Sequence, residues 1–434
     1  MAEICPFRGV RYNQSLVGDL AAVICPPYDV ISPQMEQSLN AASPYNFIRI
    51  EQGRQTPQDT PADNKYTRAA ATLKKWLDGG VMFTDKTPAI YLHDHSFTCQ
   101  GKSYTRRGIV VRVRLEEWDS MVIRPHEGIL AGPKSDRKSL LWELKTNTSP
   151  IFSLYEDNHR QVASQLDKQA GGEPIMSLSS GGESHRVWAI TDPEAIAAIA
   201  ASLAPKPLYI ADGHHRYETA LVYRREQQTL LPALAADDPS NYVMMTLVDF
   251  DDPGLIILPP HRLLRGLSSA SLDGLMAKLD LFFEVDALSL DEDGVWPKVD
   301  ELLAESGKIR LVLFGLKPGH LLMLTLRDEA AAGQMMPYFH SEAYKKLDVS
   351  VVDHVILEEL LAMSSDEVSG IDYSYDRQDA VKRVADGEYQ LAFILKPVSA
   401  TVIKDIADAG DRMPRKSTYF YPKLPSGLLM YSLK

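Results

Sequence analysis

Cysteine is scarce in this chain. Cys5, Cys25 and Cys99 are the three among 434 residues, widely spaced and odd in number. That pattern excludes a disulfide framework and a zinc knuckle and leads us to expect a reducing, cytoplasmic setting. Long apolar runs are missing as well. The longest, AIAAIAASLA at 195–204, is too short to span a bilayer and stops at Pro205. The opening MAEICPFRGVRYN has no apolar stretch of the kind a secretory signal needs, so none is expected. Positive charge is in deficit, with 46 Lys and Arg against 58 Asp and Glu for a net charge of −12. Such a balance argues against non-specific nucleic-acid or anionic-membrane binding and makes any local basic cluster informative. The sequence also has no GxxxxGK[ST], no kinase-type GxGxxG and no HExxH, so the common nucleotide-binding loops and the helical zinc motif are not indicated.

What is present is an alternation of short apolar strands with helices of ten or so residues, the mark of the α/β class, here mixed α+β. AAVICPP and NFIRIE read as short strands, 65–77 as a helix, and the segment from Ile90 to Leu115 as a β-hairpin turning at Gln100, Gly101 and Lys102. Composition shifts after Leu264. We expect a main α/β domain over 1–265, a smaller α/β unit over 266–335, and a C-terminal α/β segment over 336–434.

The segment ADGHHRYE, residues 211–218, stands out. Leu208–Ile210 is a short apolar run, Gly213 breaks it, and apolar residues recur at Tyr217, Ala220, Leu221 and Tyr223. This is a strand-to-helix turn with His214, His215 and Arg216 on the first helical turn. A helix N-terminus disfavours cations by about 0.3–1 kcal/mol, so an anionic guest would explain them, while Asp212 and Glu218 could also neutralise them internally.

Other clusters repeat the theme of a strand end, a Pro- or Gly-set turn, and charged groups. Asp29 lies in the proline-fixed turn PPYDVIS, suited to a metal ion or to capping. His126 and Glu127 precede Lys134, Asp136 and Arg137 in a Gly-containing stretch. His261 and Arg262 follow ILPP. Lys416 belongs to the basic segment RMPRKSTYFYPKLPSG. His93-Asp94-His95 places two imidazoles on one strand face, for which a solvated face is expected.

Taken in order, FRGVRY, CPPYDVIS, HEGILAGPKSDR, NTSPIFSLYED, ADGHHRYETAL, DPGLIILPPHRLL and MPRKSTYFYPKLPSGL resemble the bacterial and archaeal family known as domain of unknown function 1015. DGHHR, at 212–216, is similar to the turn of the free-serine kinases in the ParB/sulfiredoxin superfamily. That resemblance implies a ParB/sulfiredoxin-like core with a nucleotide phosphate on Gly213, His214 and Arg216, and with Asp212 near the transferring group or its Mg²⁺. By chemistry alone Glu127, Asp29 and His215 are the acid–base candidates, and Lys134, Arg137, Arg262 and Lys416 are further phosphate ligands. The expected function is phosphoryl transfer from a nucleotide such as ATP or ADP to a hydroxyl of an amino acid or similar metabolite. Hydrolysis of a phosphorylated metabolite, or nucleotide binding without turnover, are the alternatives.

Overall fold

The computed structural model describes residues 1–128, 131–231, 233–363 and 370–434, and the backbone alone of 131–135. The chain forms two compact units. The first holds residues 1–125, 129–256 and 422–434, and the second holds 126–128 and 257–421. These boundaries differ from the expected ones. The 266–335 and 336–421 stretches are not separate, because strands from both lie in one six-stranded sheet. Only the last 13 residues return to the first unit.

The first unit is built on a nine-stranded mixed sheet. Its path runs Ile123–Pro125, Leu208–Asp212, Ile151–Tyr155, Tyr242–Asp249, Lys102–Arg114, Ile90–Cys99, Glu183–Ile190 and Met176–Ser180, with Ile4–Cys5 paired off the path on Lys102–Arg114. The hairpin at its centre turns as expected: Gln100 and Gly101 have φ of 48° and 76°, the left-handed pair that matches strand twist. Period-two alternation then sorts the side chains. Ile90, Leu92, Ile109 and Val111 pack with helices Gln161–Gln169, Pro193–Leu203 and His214–Leu230. Tyr91, Val110, Val187 and Met244 pack with the N-terminal segment and the Lys65–Asp78 helix.

Two expected strands are not strands. NFIRIE contains the short helix Ile48–Glu51, because the Asn46 side chain donates to the carbonyls of Ala22 and Ile24 and accepts from the Ile48 N–H. In AAVICPP a 3₁₀ turn at Leu20–Ala22 starts on the Asp19 side chain, and only Cys25 makes an isolated bridge. A further helix spans Ala131–Leu144.

The second unit has the sheet order Phe283–Ser289, His320–Leu326, Arg310–Phe314, Leu391–Ile394, His261–Leu264 and Ile371–Ser374. Val351–Leu360 is a π-helix preceded by the short α turn Asp348–Ser350. Among the described residues no helix is long and apolar enough to cross a membrane.

Candidate functional site

The site grows from the end of the Leu208–Asp212 strand. This strand lies between a parallel neighbour, Ile123–Pro125, and an antiparallel one, Ile151–Tyr155. Gly213 follows with φ of 94° and ψ of 25°, a conformation that L side chains avoid, and the helix His214–Leu230 starts at once. Tyr217 fixes the helix start. Its ring is fully buried, and its hydroxyl donates to the Glu116 carbonyl at 2.7 Å and accepts from the Glu116 N–H at 2.9 Å. Strand end, glycine turn and helix N-terminus therefore sit as the sequence implies.

The charge conflict on this first turn is answered within the chain. Arg216 Nη2 donates to Asp212 Oδ2 at 2.8 Å, an i, i+4 pair, and Nη1 donates to Ser149 Oγ at 2.9 Å and to the Pro150 carbonyl. Lys423 pairs with the other oxygen of Asp212, and its Nζ is 4.0 Å from Asp29. Burial would push the Asp212 carboxyl up, but Lys423 and then Arg216 hold it far below the usual carboxylate range. Asp212 is thus ionised at any physiological pH and shared by two cations.

Tyr28 and Arg137 complete the cluster. The Arg137 guanidinium lies 4.2 Å from the Tyr28 ring centroid and binds Glu51 and Asp136. Burial raises the Tyr28 phenol, which also feels Arg216, Asp29, Arg137 and Asp212. Beside these groups is a cavity of about 50 Å³, lined by Glu51, Arg137, Asn147, Ser149, Arg216 and Thr219 among others. Glu51 Oε2 and Thr219 Oγ1 are buried there without hydrogen-bond partners. The space admits water or a small polar group, which those two oxygens would bind.

Asp212, Gly213, His214, His215, Arg216, Asp29 and Arg137 thus belong to one neighbourhood or to the turn that forms it. Other expected residues do not join it. Glu127 belongs to the second unit, where its Oε1 accepts from the Ser417 and Thr418 backbone N–H groups and from the Thr418 hydroxyl, so it ties a loop. Arg262 is also in the second unit, fully buried, bonded to Asp353 and to the carbonyls of Pro260 and Lys416. Such a buried ion pair reads as structure. Lys416 itself sits in a left-handed turn of that unit with its side chain exposed. The basic segment still reaches Asp212, but through Lys423. The Lys134 side chain lies outside the described residues.

Sequence reasoning placed Lys423 in the basic segment without assigning it to this site, and missed Tyr28, Glu51, Ser149 and Thr219. Those four had no signal without the fold. His93 and His95 need a further correction. Their face is buried, with 4% and 1% exposure, because Arg106 and the histidine and glutamate of the Glu183–Ile190 strand cover it.

Comparison with known proteins adds the following. The family model described as "Protein of unknown function (DUF1015)" matches residues 4–350. No curated protein matches the chain. Solved structures similar to it include a free serine kinase in complex with AMP, at 13% identity over 72% of this chain and 86% of that one, with a TM-score of 0.35. A conserved hypothetical protein from Pyrococcus furiosus is 15% identical over 74% and 93%, with a TM-score of 0.34. SbnI from Staphylococcus aureus, truncated at its C-terminus, is 9% identical over 73% and 85%, with a TM-score of 0.33. At these scores the structural likenesses carry no argument about the site.

Proposed function

The chain belongs to the DUF1015 family, and we propose that its first unit binds the phosphates of a nucleotide and transfers a phosphoryl group to a hydroxyl of a small metabolite. The observation that carries this reading is Asp212, a carboxylate at a strand end shared by Arg216 and Lys423, with Asp29 on the same lysine. Phosphoryl transfer needs cations around the phosphates, a metal-holding carboxylate and a group that orients the acceptor. In this reading Arg216 and Lys423 turn from Asp212 to the phosphate oxygens, and the backbone N–H groups at the start of the His214–Leu230 helix complete the cradle.

Asp212 and Asp29 fit a divalent cation in donor type. Both are hard oxygen donors, and both lie near the single ammonium of Lys423. They are the residues that would hold Mg²⁺, which when bound would neutralise phosphate charge. The cavity beside Glu51 and Thr219 is where this reading puts the polar end of the acceptor, and its size favours a small one.

The test is incubation of the protein with ATP, ADP or CTP, Mg²⁺ and a pool of hydroxylated metabolites, read by mass spectrometry. A new phosphometabolite, absent with Arg216→Ala, supports the reading. Free phosphate released from added phosphomonoesters would replace it with hydrolysis. Nucleotide binding without product would replace it with a regulatory role. Unchanged nucleotide binding by a folded Arg216→Ala protein would remove this turn from consideration.

A further inference from the structure

The first unit's sheet carries a second constellation, on strands that the phosphate reading does not use. In the Ile90–Cys99 strand, His93 and His95 share one face. The Glu183–Ile190 strand pairs with it so that His185 lies opposite His95, and Glu183 is two residues on, over the same face. The two imidazoles of His95 and His185 have centroids 4.1 Å apart. His95 Nε2 is 2.6 Å from Glu183 Oε2, and His185 Nε2 is 4.0 Å from that same oxygen. One ligand atom from each of His95, Glu183 and His185 lies within 4.8 Å of the other two. We propose that His95, Glu183 and His185 form a binding site for a zinc-class divalent metal ion.

The chemistry of the donors fits. Two imidazoles and one carboxylate, with a fourth position left for water or a substrate atom, form a set that zinc takes in open sites. Tetrahedral bonds of 2.0–2.2 Å place ligand atoms about 3.3 Å apart. The two separations to Glu183 are 2.6 and 4.0 Å and all three lie within 4.8 Å, so the side chains must shift by no more than about 1.5 Å to close on an ion. His95 and His185 are buried, which keeps both rings neutral with lone pairs to give, whereas Glu183 is about one-third exposed at the mouth and offers an entry path. A supporting partner is also in place. His185 Nδ1 is 3.0 Å from His93 Nε2; with the proton on Nδ1, His185 presents the bare Nε2 to the ion. Such partners fix the tautomer and orientation of metal-binding histidines.

Arg106 sets the cost. Its Nη2 donates to His95 Nδ1 at 3.1 Å and to the Pro422 carbonyl at 2.8 Å. With Nδ1 accepting, the His95 proton resides on Nε2 and points at Glu183. When the ion takes Nε2, that proton moves to Nδ1, and Arg106 withdraws to the Pro422 carbonyl and the face of Phe152. No proton is gained or lost overall. Replacing Arg106 by Gln, whose amide oxygen accepts the Nδ1 proton, should therefore tighten the site.

The experiment uses the full chain, stripped with a chelator and titrated with Co²⁺ and then Zn²⁺. We expect one Co²⁺ per chain with the intense visible absorption of a four-coordinate ion, displaced by Zn²⁺. Glu183→Gln, at a partly exposed position, and His185→Asn should each lose the band or weaken affinity by more than 100-fold. His93→Gln should weaken it by 10–100-fold. His159→Asn, at an exposed histidine elsewhere, should change nothing. Absence of the band in the folded wild-type protein overturns the proposal, and so does an unchanged band and stoichiometry in folded Glu183→Gln. Because these readouts involve no nucleotide, they stand or fall apart from the phosphotransferase reading.

Discussion

Replacing Asp212 by Asn separates what the carboxylate does for the fold from what it does for a ligand. In the wild type its two oxygens face Arg216 and Lys423, whose side chains are 16% and 13% exposed. The amide can still accept a hydrogen bond, but it leaves two largely buried cations without their shared counter-charge. Breaking a fully buried pair costs 3–5 kcal/mol; partial exposure here lowers that to roughly 3 kcal/mol. For a unit of this size that is a fall in Tm of about 6–12 °C. The gap should not vary between pH 8 and pH 5. Asp212 titrates far below its unfolded value, so its contribution is fully present above the unfolded carboxyl pKa and is lost only as pH falls below it. Anion affinity should move the other way. A carboxylate about 5 Å from a phosphate repels it by up to ~3 kcal/mol at an effective dielectric of 20, and solvent reduces this. Without Mg²⁺, inorganic phosphate or ADP should therefore bind the variant roughly tenfold tighter, while turnover with Mg²⁺ is lost. Urea titrations with and without ligand, with calorimetry, measure both. A variant as stable as wild type, or one whose phosphate affinity falls, refutes the view that Asp212 competes with an anion for these cations.

Gly213→Ala should cost about 1–2 kcal/mol through its positive φ. Its new Cβ, 3.0 Å from the Arg216 guanidinium, should weaken phosphate binding in the same calorimetric assay. Gly254→Ala should be far worse, because its Cβ would meet the backbone of Arg106 and Thr105 at 2.5–2.6 Å; we expect a loss of roughly 3 kcal/mol or an insoluble protein. In the second unit, burial, with Arg377 and Arg262 nearby and Asp376 opposing them, holds His261 down to about 3. The unfolded ring takes a proton near pH 6.5 and the folded one does not. The stability this confers is full above pH 6.5 and falls by ~2 kcal/mol at pH 5. His261→Gln should flatten that part of the urea-stability profile, and an unchanged slope would count against it.

The parts that the chain announces are those whose causes are local. The 65–77 helix, the Gln100–Gly101 hairpin and the turn at Gly213 each depend on neighbours within a few residues, and the structure forms all three. NFIRIE was illegible because Asn46 binds carbonyls 22 and 24 residues away, and that contact overrides the strand-like alternation. The same limit decided the basic segment. Composition singles out the stretch from Arg412 to Lys423, but which lysine reaches Asp212 depends on where the chain leaves the second unit, at Pro422. His93 and His95 make the point most sharply. Their spacing shows that they share a face, whereas solvent or burial on that face is set by His185, 90 residues after His95, and by Arg106, held on the Pro422 carbonyl 316 residues away. One residue at position 422 thus orients the cation over the histidines, and its neighbour Lys423 supplies one of the two on Asp212. Shortening the carboxyl-terminal return at Pro422 should therefore disturb both clusters at once. A truncated but folded chain that kept full metal and phosphate binding would show that neither cluster depends on that segment.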